Sequence, residues 1–361
     1  MSARRLSKNY PGDILTPPRS TATVRVVHLP NGHNDIVNYV AGEPFPSPEE
    51  PDKGYKLLAD LWFAYAPHLA AGTVHNPLTT CTQDFFGDIN CMKLSYVYRQ
   101  AASNTDPGVA RDDPMSDDAW YTEWVTVEEP EQAKYTTQLT LFSKDNQRDQ
   151  DFYIFVPSLR RSIRGSLASR CSPVVGTDYL QDDYKSVGFN GGIALFDARF
   201  VEHRKVLALT GQYAPVAGDF PNNYYMPLGW PKPSWGKWQL RDVDVIEVQR
   251  VPAERTGYCY GKRVIYEDSH TRYALWEDAY DSQMRLWKSA FVAQRLVKAT
   301  SLGYISGAVT SCVWDLLNHH MTNVSTQDKY GHDLLADYDV AGEYQNFDAY
   351  ATPSGVANIM K

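Results

Sequence analysis

The residue types in this chain that could do chemistry fall in a few places. Asp182 and Asp183 are paired carboxylates, the kind of pair that serves as general acid and base in hydrolysis. Adjacent side chains on an extended segment point to opposite faces, so a solvated loop is the simpler reading. Asp242 and Asp244 share one face of a strand pattern. That spacing suits a cation, and equally suits the polar side of a half-buried antiparallel strand. Cys312, His319 and His320 are metal-ligand types, and on a helix Cys312 and His319 would share a face. Zinc takes three or four ligands, and the remaining ones are not evident. Asn323-Val324-Ser325 matches a glycosylation acceptor, a short pattern that arises often by chance. There is no Gly-x-Ser-x-Gly elbow, no His-Glu-x-x-His, no phosphate loop and no Gly-x-Gly-x-x-Gly after a strand. No catalytic residue, metal or cofactor is therefore assigned.

The larger signal is aromatic: 24 Tyr, 13 Phe and 9 Trp. Trp62, Tyr153, Phe155, Tyr266, Trp276 and Trp287 are large amphipathic surfaces, most of them on strand patterns. Filling a core is the simpler reading, because aromatics dominate packing. The functional reading is a curved sheet whose concave, apolar cavity holds a lipophilic ligand on these residues. Five cysteines in 361 residues are too few for a disulfide scaffold. Cys81 and Cys91 are close enough to bridge and Cys171 can meet Cys259 from afar, while unpaired half-buried thiols fit as well.

The elements that must position these residues read mainly as β. Residues 1–53 are punctuated by Pro, leaving room for short strands such as Thr23–Val27. A helix is expected from about Pro51 to Tyr65, capped by Asp52, because Leu57, Leu58, Leu61, Trp62 and Tyr65 fall on one face. From Trp120 to Lys288 the dominant period is two. Within it the phase slips between Val245 and Ile246, as a bulge would produce, and Glu267-Asp268-Ser269-His270 reads as a hairpin turn. Strands joined by short turns favour antiparallel pairing. Residues 211–237 read as long loops rich in Pro, Tyr and Trp, 311–322 as one short helix, and the tail beyond 325 as irregular.

Composition bounds the partners. The chain has 35 Lys+Arg against 43 Asp+Glu, a net charge of −8, which argues against nucleic acid. No apolar run reaches the ~20 residues of a membrane-spanning helix. Arg4-Arg5 is followed by no apolar h-region, so no signal peptide is read in this chain.

Several stretches together resemble one bacterial family. They are Gly42-Glu-Pro-Phe-Pro-Ser-Pro48 leading into Leu57–Tyr65, and Tyr153-Ile-Phe-Val-Pro-Ser-Leu-Arg-Arg161. Thr177–Asp183 with Phe189-Asn190-Gly191, Trp238–Arg250, Gly261–Asp268, Trp276–Asp281 with Leu286-Trp287, and Asp315-Leu-Leu follow in order. The family is a periplasmic domain of unknown function, described as outer-membrane-lipoprotein-sorting-like and related in fold to the carriers LolA and LolB. The resemblance implies a long antiparallel sheet curled into a half-barrel around a helix, with an apolar interior able to carry lipid, and export to the periplasm. In an exported chain the Cys81–Cys91 bridge is expected. Against the family the chain looks shortened at its N-terminus, with 1–41 irregular, 42–322 the half-barrel domain and 323–361 an irregular tail. The expectation is a non-enzymatic envelope protein that binds or carries a hydrophobic molecule, with envelope transport proteins as partners. A structural adaptor of an envelope complex and a hydrolase using Asp182 and Asp183 are the alternatives.

Overall fold

The computed structural model describes residues 20, 23–72, 78–165, 170–183, 185, 189–212, 220–299, 303–325 and 344–359, with backbone alone for 212, 295–299 and 303–309. Arg4-Arg5, Pro17-Pro18 and residues 326–343 of the expected tail lie outside them. In chain order the first elements are β1 (Arg25–His28), β2 (Asn34–Val37), α1 (Lys53–Trp62), β3 (Leu69–Gly72), β4 (Leu78–Gln83) and β5 (Ile89–Gln100). β6 (Ala119–Glu129), β7 (Thr137–Ser143), β8 (Asp151–Val156), β9 (Arg161–Arg164) and β10 (Phe196–Gln212) follow. Next come β11 (Tyr224–Tyr225), β12 (Trp230–Pro231), β13 (Gly236–Arg250), β14 (Lys262–Asp268) and β15 (Ala274–Tyr280). The chain continues through β16 (Leu286–Ala299), β17 (Gly303–Asp315), β18 (His320–Ser325), α2 (Phe347–Tyr350) and α3 (Pro353–Ala357). No described helix is long and apolar enough to cross a membrane.

One antiparallel sheet of 14 strands dominates, in the order β10-β13-β14-β15-β16-β17-β18-β4-β5-β6-β7-β8-β9, with β3 paired to β5. It is curled without closing. The proof is α1: the helix packs with Trp120, Tyr121 and Phe142 of β6 and β7 and also with Ile246, Val248 and Ile265 of β13 and β14. In a flat sheet β13 and β6 would stand about 38 Å apart, so both reach one helix only because the sheet wraps it. Leu57, Leu58, Leu61 and Trp62 are buried in that contact. Gly54 lies against β10, where an added Cβ would collide with the Ala198 carbonyl oxygen and the Phe200 nitrogen.

The helix is shorter than expected, and Asp52 does not cap it: its φ is +66°, and its carboxylate takes His28 Nε2 at 3.1 Å instead. The slip at Val245/Ile246 is not a bulge in β13. Val243 and Val245 pack on one face and Ile246 and Val248 on the other, so both faces are buried, and the bulge sits opposite on β10, between Phe200 and Glu202. The helix expected over 311–322 is a β-hairpin: β17 and β18 pair Cys312 with Asn323 and Val313 with Thr322, the sheet overriding a short helical spacing. A short strand expected at Thr23–Val27 is found as β1, paired with β2, and beyond 343 the tail read as irregular holds α2 and α3, docked near Trp124. Cys81 and Cys91 lie directly opposite across β4 and β5, bridged with Cα atoms 4.0 Å apart, and Cys171 is bridged to Cys259.

Because Leu61 is wholly buried where α1 meets the sheet, Leu61→Ala should lower unfolding stability by about 2–5 kcal/mol. A urea titration followed by far-UV circular dichroism measures this; a midpoint equal to that of the unmodified chain would contradict it.

Candidate functional site

The six aromatic residues nominated from sequence do not meet in one cavity. Trp62 and Trp287 lie on the concave side, Trp62 against Trp120, Phe142 and Phe189, and Trp287 against Tyr260 with its indole N–H on Asp315 at 2.9 Å. Tyr153 and Phe155 are paired in register with Leu139 and Thr137, on the face turned away from α1, where they pack with Trp124 and Val356. Tyr266 pairs with Trp276, Trp276 with Phe291 and Phe291 with Cys312, a row that also lies on the convex face.

The concave face is occupied by the chain itself. Residues 170–183, 185 and 189–195 lie across it beside α1, held at one end by the Cys171–Cys259 bridge. Asp182 and Asp183, expected in a solvated loop, are buried there in a 3-10 turn. Asp182 accepts from Arg170, Arg263 and Tyr258, and Asp183 from Arg263, Tyr260 and the Leu180 amide, so all four carboxylate oxygens are engaged. Burial alone would raise the Asp182 carboxyl, but Arg170, Arg263 and Arg250 together hold it below the usual carboxylate range. Asp178 ties the same segment to β18 through Thr322 at 2.7 Å and faces His320 at 3.4 Å. Cys312 is on the opposite face from His320, with Asn323 and the Tyr224 hydroxyl, so the suspected metal-ligand types do not converge. No group of three His, Cys, Asp or Glu is placed to hold a metal among the described residues. Asn323 is buried with its amide on Tyr224, closed to glycosylation. Asp242 and Asp244 serve as counter-ions, the first to Lys205 and the second to Arg272 at 3.5 Å and His203 at 3.1 Å.

The concave side also buries a lysine. A register shift between Ala119 and Tyr121 turns both Trp120 and Tyr121 toward α1. With Trp62 they surround Lys185, whose ammonium lies 4.5, 4.7 and 5.0 Å from the Trp62, Trp120 and Tyr121 ring centres and donates to the Trp62 carbonyl at 2.8 Å. Glu123, two residues along β6, is buried with neither carboxylate oxygen hydrogen-bonded. Burial pushes Glu123 up to about 8 and Lys185 down to about 7, each partly opposed by the other's charge.

The open site is on the convex face. The outer half of the β10–β13 hairpin runs past β14 and folds over β16: Trp238 stacks on Phe291 with centroids 5.8 Å apart, and the Trp276 indole N–H donates to the Leu207 carbonyl at 2.9 Å. This leaves a groove of about 420 Å³ lined by Arg204, Lys205, Val206, Leu207, Tyr266, Trp276 and Asp278. Its floor is apolar and aromatic, and its rim is charged. Leu207 is 52% exposed. Of these lining residues Tyr266 and Trp276 are among those nominated from sequence, and the β10 residues are not. The basic pair followed by Val206-Leu207 is the local signal, but nothing in it shows that this strand crosses the sheet. A second hollow of about 440 Å³ lies beside Trp124 and Tyr350, under α2 and α3.

The buried Glu123 makes a pH prediction. Its folded value of about 8 exceeds the ordinary 4.5, so between those values the folded chain holds a proton that the unfolded chain releases, and stability falls as pH rises. Lys185 acts oppositely above about 7, where the unfolded chain binds the extra proton. Glu123→Gln removes the first contribution, and without the Glu123 charge burial lowers Lys185 further, which acts in the same direction. Its urea midpoint should gain on the unmodified chain as pH is raised from 5 to 8, and a constant difference across that range would contradict the buried, unpartnered carboxyl.

Among curated proteins none matches the chain. A domain from Vibrio parahaemolyticus, described as belonging to an outer membrane lipoprotein-sorting protein, shares the fold with a TM-score of 0.51 at 12% identity, covering 76% of this chain and 89% of its own. A DUF1329 family protein from Desulfovibrio piger gives 0.51 at 15% identity, covering 77% of this chain and 91% of its own. The family model described as "Protein of unknown function (DUF1329)" matches residues 8–352, and with nearly its whole length matched, the chain belongs to that family.

Proposed function

We propose that this protein is a non-enzymatic binding protein of the cell envelope that holds a hydrophobic or amphipathic molecule, with the convex groove as its seat. The groove carries the reading. Its size falls within the range of small-molecule sites, and it joins an aromatic floor to a charged rim. Because the Trp276 N–H is already engaged by Leu207, the ring offers a ligand only apolar surface. Apolar surface leaving water contributes about 25 cal/mol per Å², so an acyl chain or fused-ring body needs no polar recognition on the floor. Arg204 and Lys205, now paired with Glu202 and Asp242 at the rim, can exchange those partners for a polar head group. Kinship of fold with a lipoprotein-sorting domain supports an envelope role, and the two disulfides fit an oxidising compartment.

The placement differs from the cavity expected at first. The concave side, where an apolar interior was expected, carries a buried ion-pair cluster and the chain's own residues, so of the nominated aromatics Tyr266 and Trp276 are the proposed contacts. The hydrolase alternative loses its support, since Asp182 and Asp183 act as counter-ions to arginines.

A fluorescent fatty acid tests the reading. The unmodified chain should bind it, and Leu207→Asp, a change at a half-exposed position, should weaken binding about tenfold or more by putting a carboxylate in the groove wall. Native mass spectrometry of gently purified protein should show a co-purified lipophile. If the unmodified chain binds no lipophile, the carrier reading fails; if Leu207→Asp binds equally, the groove is not the seat.

A further inference from the structure

Three turns at one end of the sheet form a single exposed apolar surface. The β4–β5 turn presents Phe85, Phe86 and Ile89, the 225–230 segment presents Met226 and Leu228, and the β17–β18 turn presents Leu317. Phe85, Phe86 and Leu228 are 65%, 85% and 65% exposed, far more than a folding core would leave at adjoining positions. The three turns are bound to each other. Gln83 donates to the Pro227 carbonyl, the Trp314 indole N–H donates to the Leu228 carbonyl at 3.1 Å, and Phe85 meets the His319 ring at 5.6 Å. Trp230 stacks on Trp314 with centroids 4.2 Å apart, which fixes the 225–230 segment to β17. The hairpin that carries the two phenylalanines is bridged at Cys81–Cys91, so this tip stands on a rigid base.

We infer that this tip docks the protein on a lipid surface by inserting its apolar side chains. Two observations select the partner, the first lipid over protein and the second the kind of lipid. First, the side chains crown turns and do not line a groove, so they project into a partner; a fluid interface accepts protruding Phe and Leu, with Tyr and Trp at head-group depth, without needing a matching pocket. Tyr225 and Trp230 are the half-exposed aromatics placed behind the tip for that role. Second, residues 84–89, 225–230 and 316–319 contain no Lys or Arg. Asp84 folds its carboxylate back onto the Phe86 and Asp88 amides, both at 2.9 Å, leaving Asp88 as the outward acid. Attraction to anionic head groups is therefore absent, and the lipid surface must be one that apolar burial alone can hold, a zwitterionic one. The inference is independent of the groove, which lies between β10 and β14–β15.

Flotation with phosphatidylcholine vesicles tests it. The unmodified chain should float with them to the same extent at low and high salt, because screening weakens only charge attraction. Phe85→Asp/Phe86→Asp should lower the vesicle-bound fraction about tenfold or more. Both positions are exposed, so its urea midpoint should match that of the unmodified chain. Leu159→Asp, at an exposed leucine in the β8–β9 turn at the far edge, should float unchanged. Flotation of the double variant equal to the unmodified chain would overturn the inference. So would binding only to anionic vesicles with loss at high salt. Self-association abolished by the double variant, in a chain that never floats, would make a second copy the occupant and would overturn it as well.

Discussion

A single buried guanidinium organises the inside of this molecule. Arg263 projects from β14 into the concave side of the sheet and is almost wholly buried. A charge so placed costs several kcal/mol unless opposite charges surround it. Here Asp182 and Asp183 approach Nη2 at 3.2 and 3.0 Å and Glu277 approaches Nε at 3.7 Å. Against the burial that would lower it, these neighbours and Tyr258 hold the guanidinium above even its ordinary range. Two of the three carboxylates come from the 170–183 segment, so that segment must lie within the curl of the sheet. The Cys171–Cys259 bridge, the Asp178 contacts with β18 and the Lys185 cage hold the rest of it in the same place.

That constraint decides where open surface remains. With α1 and residues 170–183 inside, the sheet buries apolar side chains on both faces, as β13 shows by splitting Val243 and Val245 from Ile246 and Val248. The convex face is covered in turn by α2 and α3 at one end and by the aromatic segment 220–238 at the other. Tyr224, Trp230 and Trp235 there meet Cys312, Trp314 and Asn323. Among the described residues the open surface includes the groove under β10, the hollow beside Trp124 and the apolar tip beyond β4–β5, and none of these lies in the interior that a hollow half-barrel would offer.

The period of two within Trp120 to Lys288, the helix near Leu57–Trp62 and the antiparallel class are properties of local pattern, and they are present in the fold, while the turn read at 267–270 falls at 269–273. The aromatic load that supplies so much of the buried surface is likewise plain in the amino-acid sequence. Local pattern failed where two faces compete. Alternation shows that neighbouring side chains part company, but when both faces are covered it does not say which is inside, so Tyr153 and Phe155 read the same as residues that face α1. Nor does it show the partner of a charge: Asp182 meets Arg263 across 81 residues of chain. Adjacent aspartates in a polar stretch look solvated until the fold supplies arginines to neutralise them. Face and partner are set by long-range packing, and that is what only the tertiary structure decided.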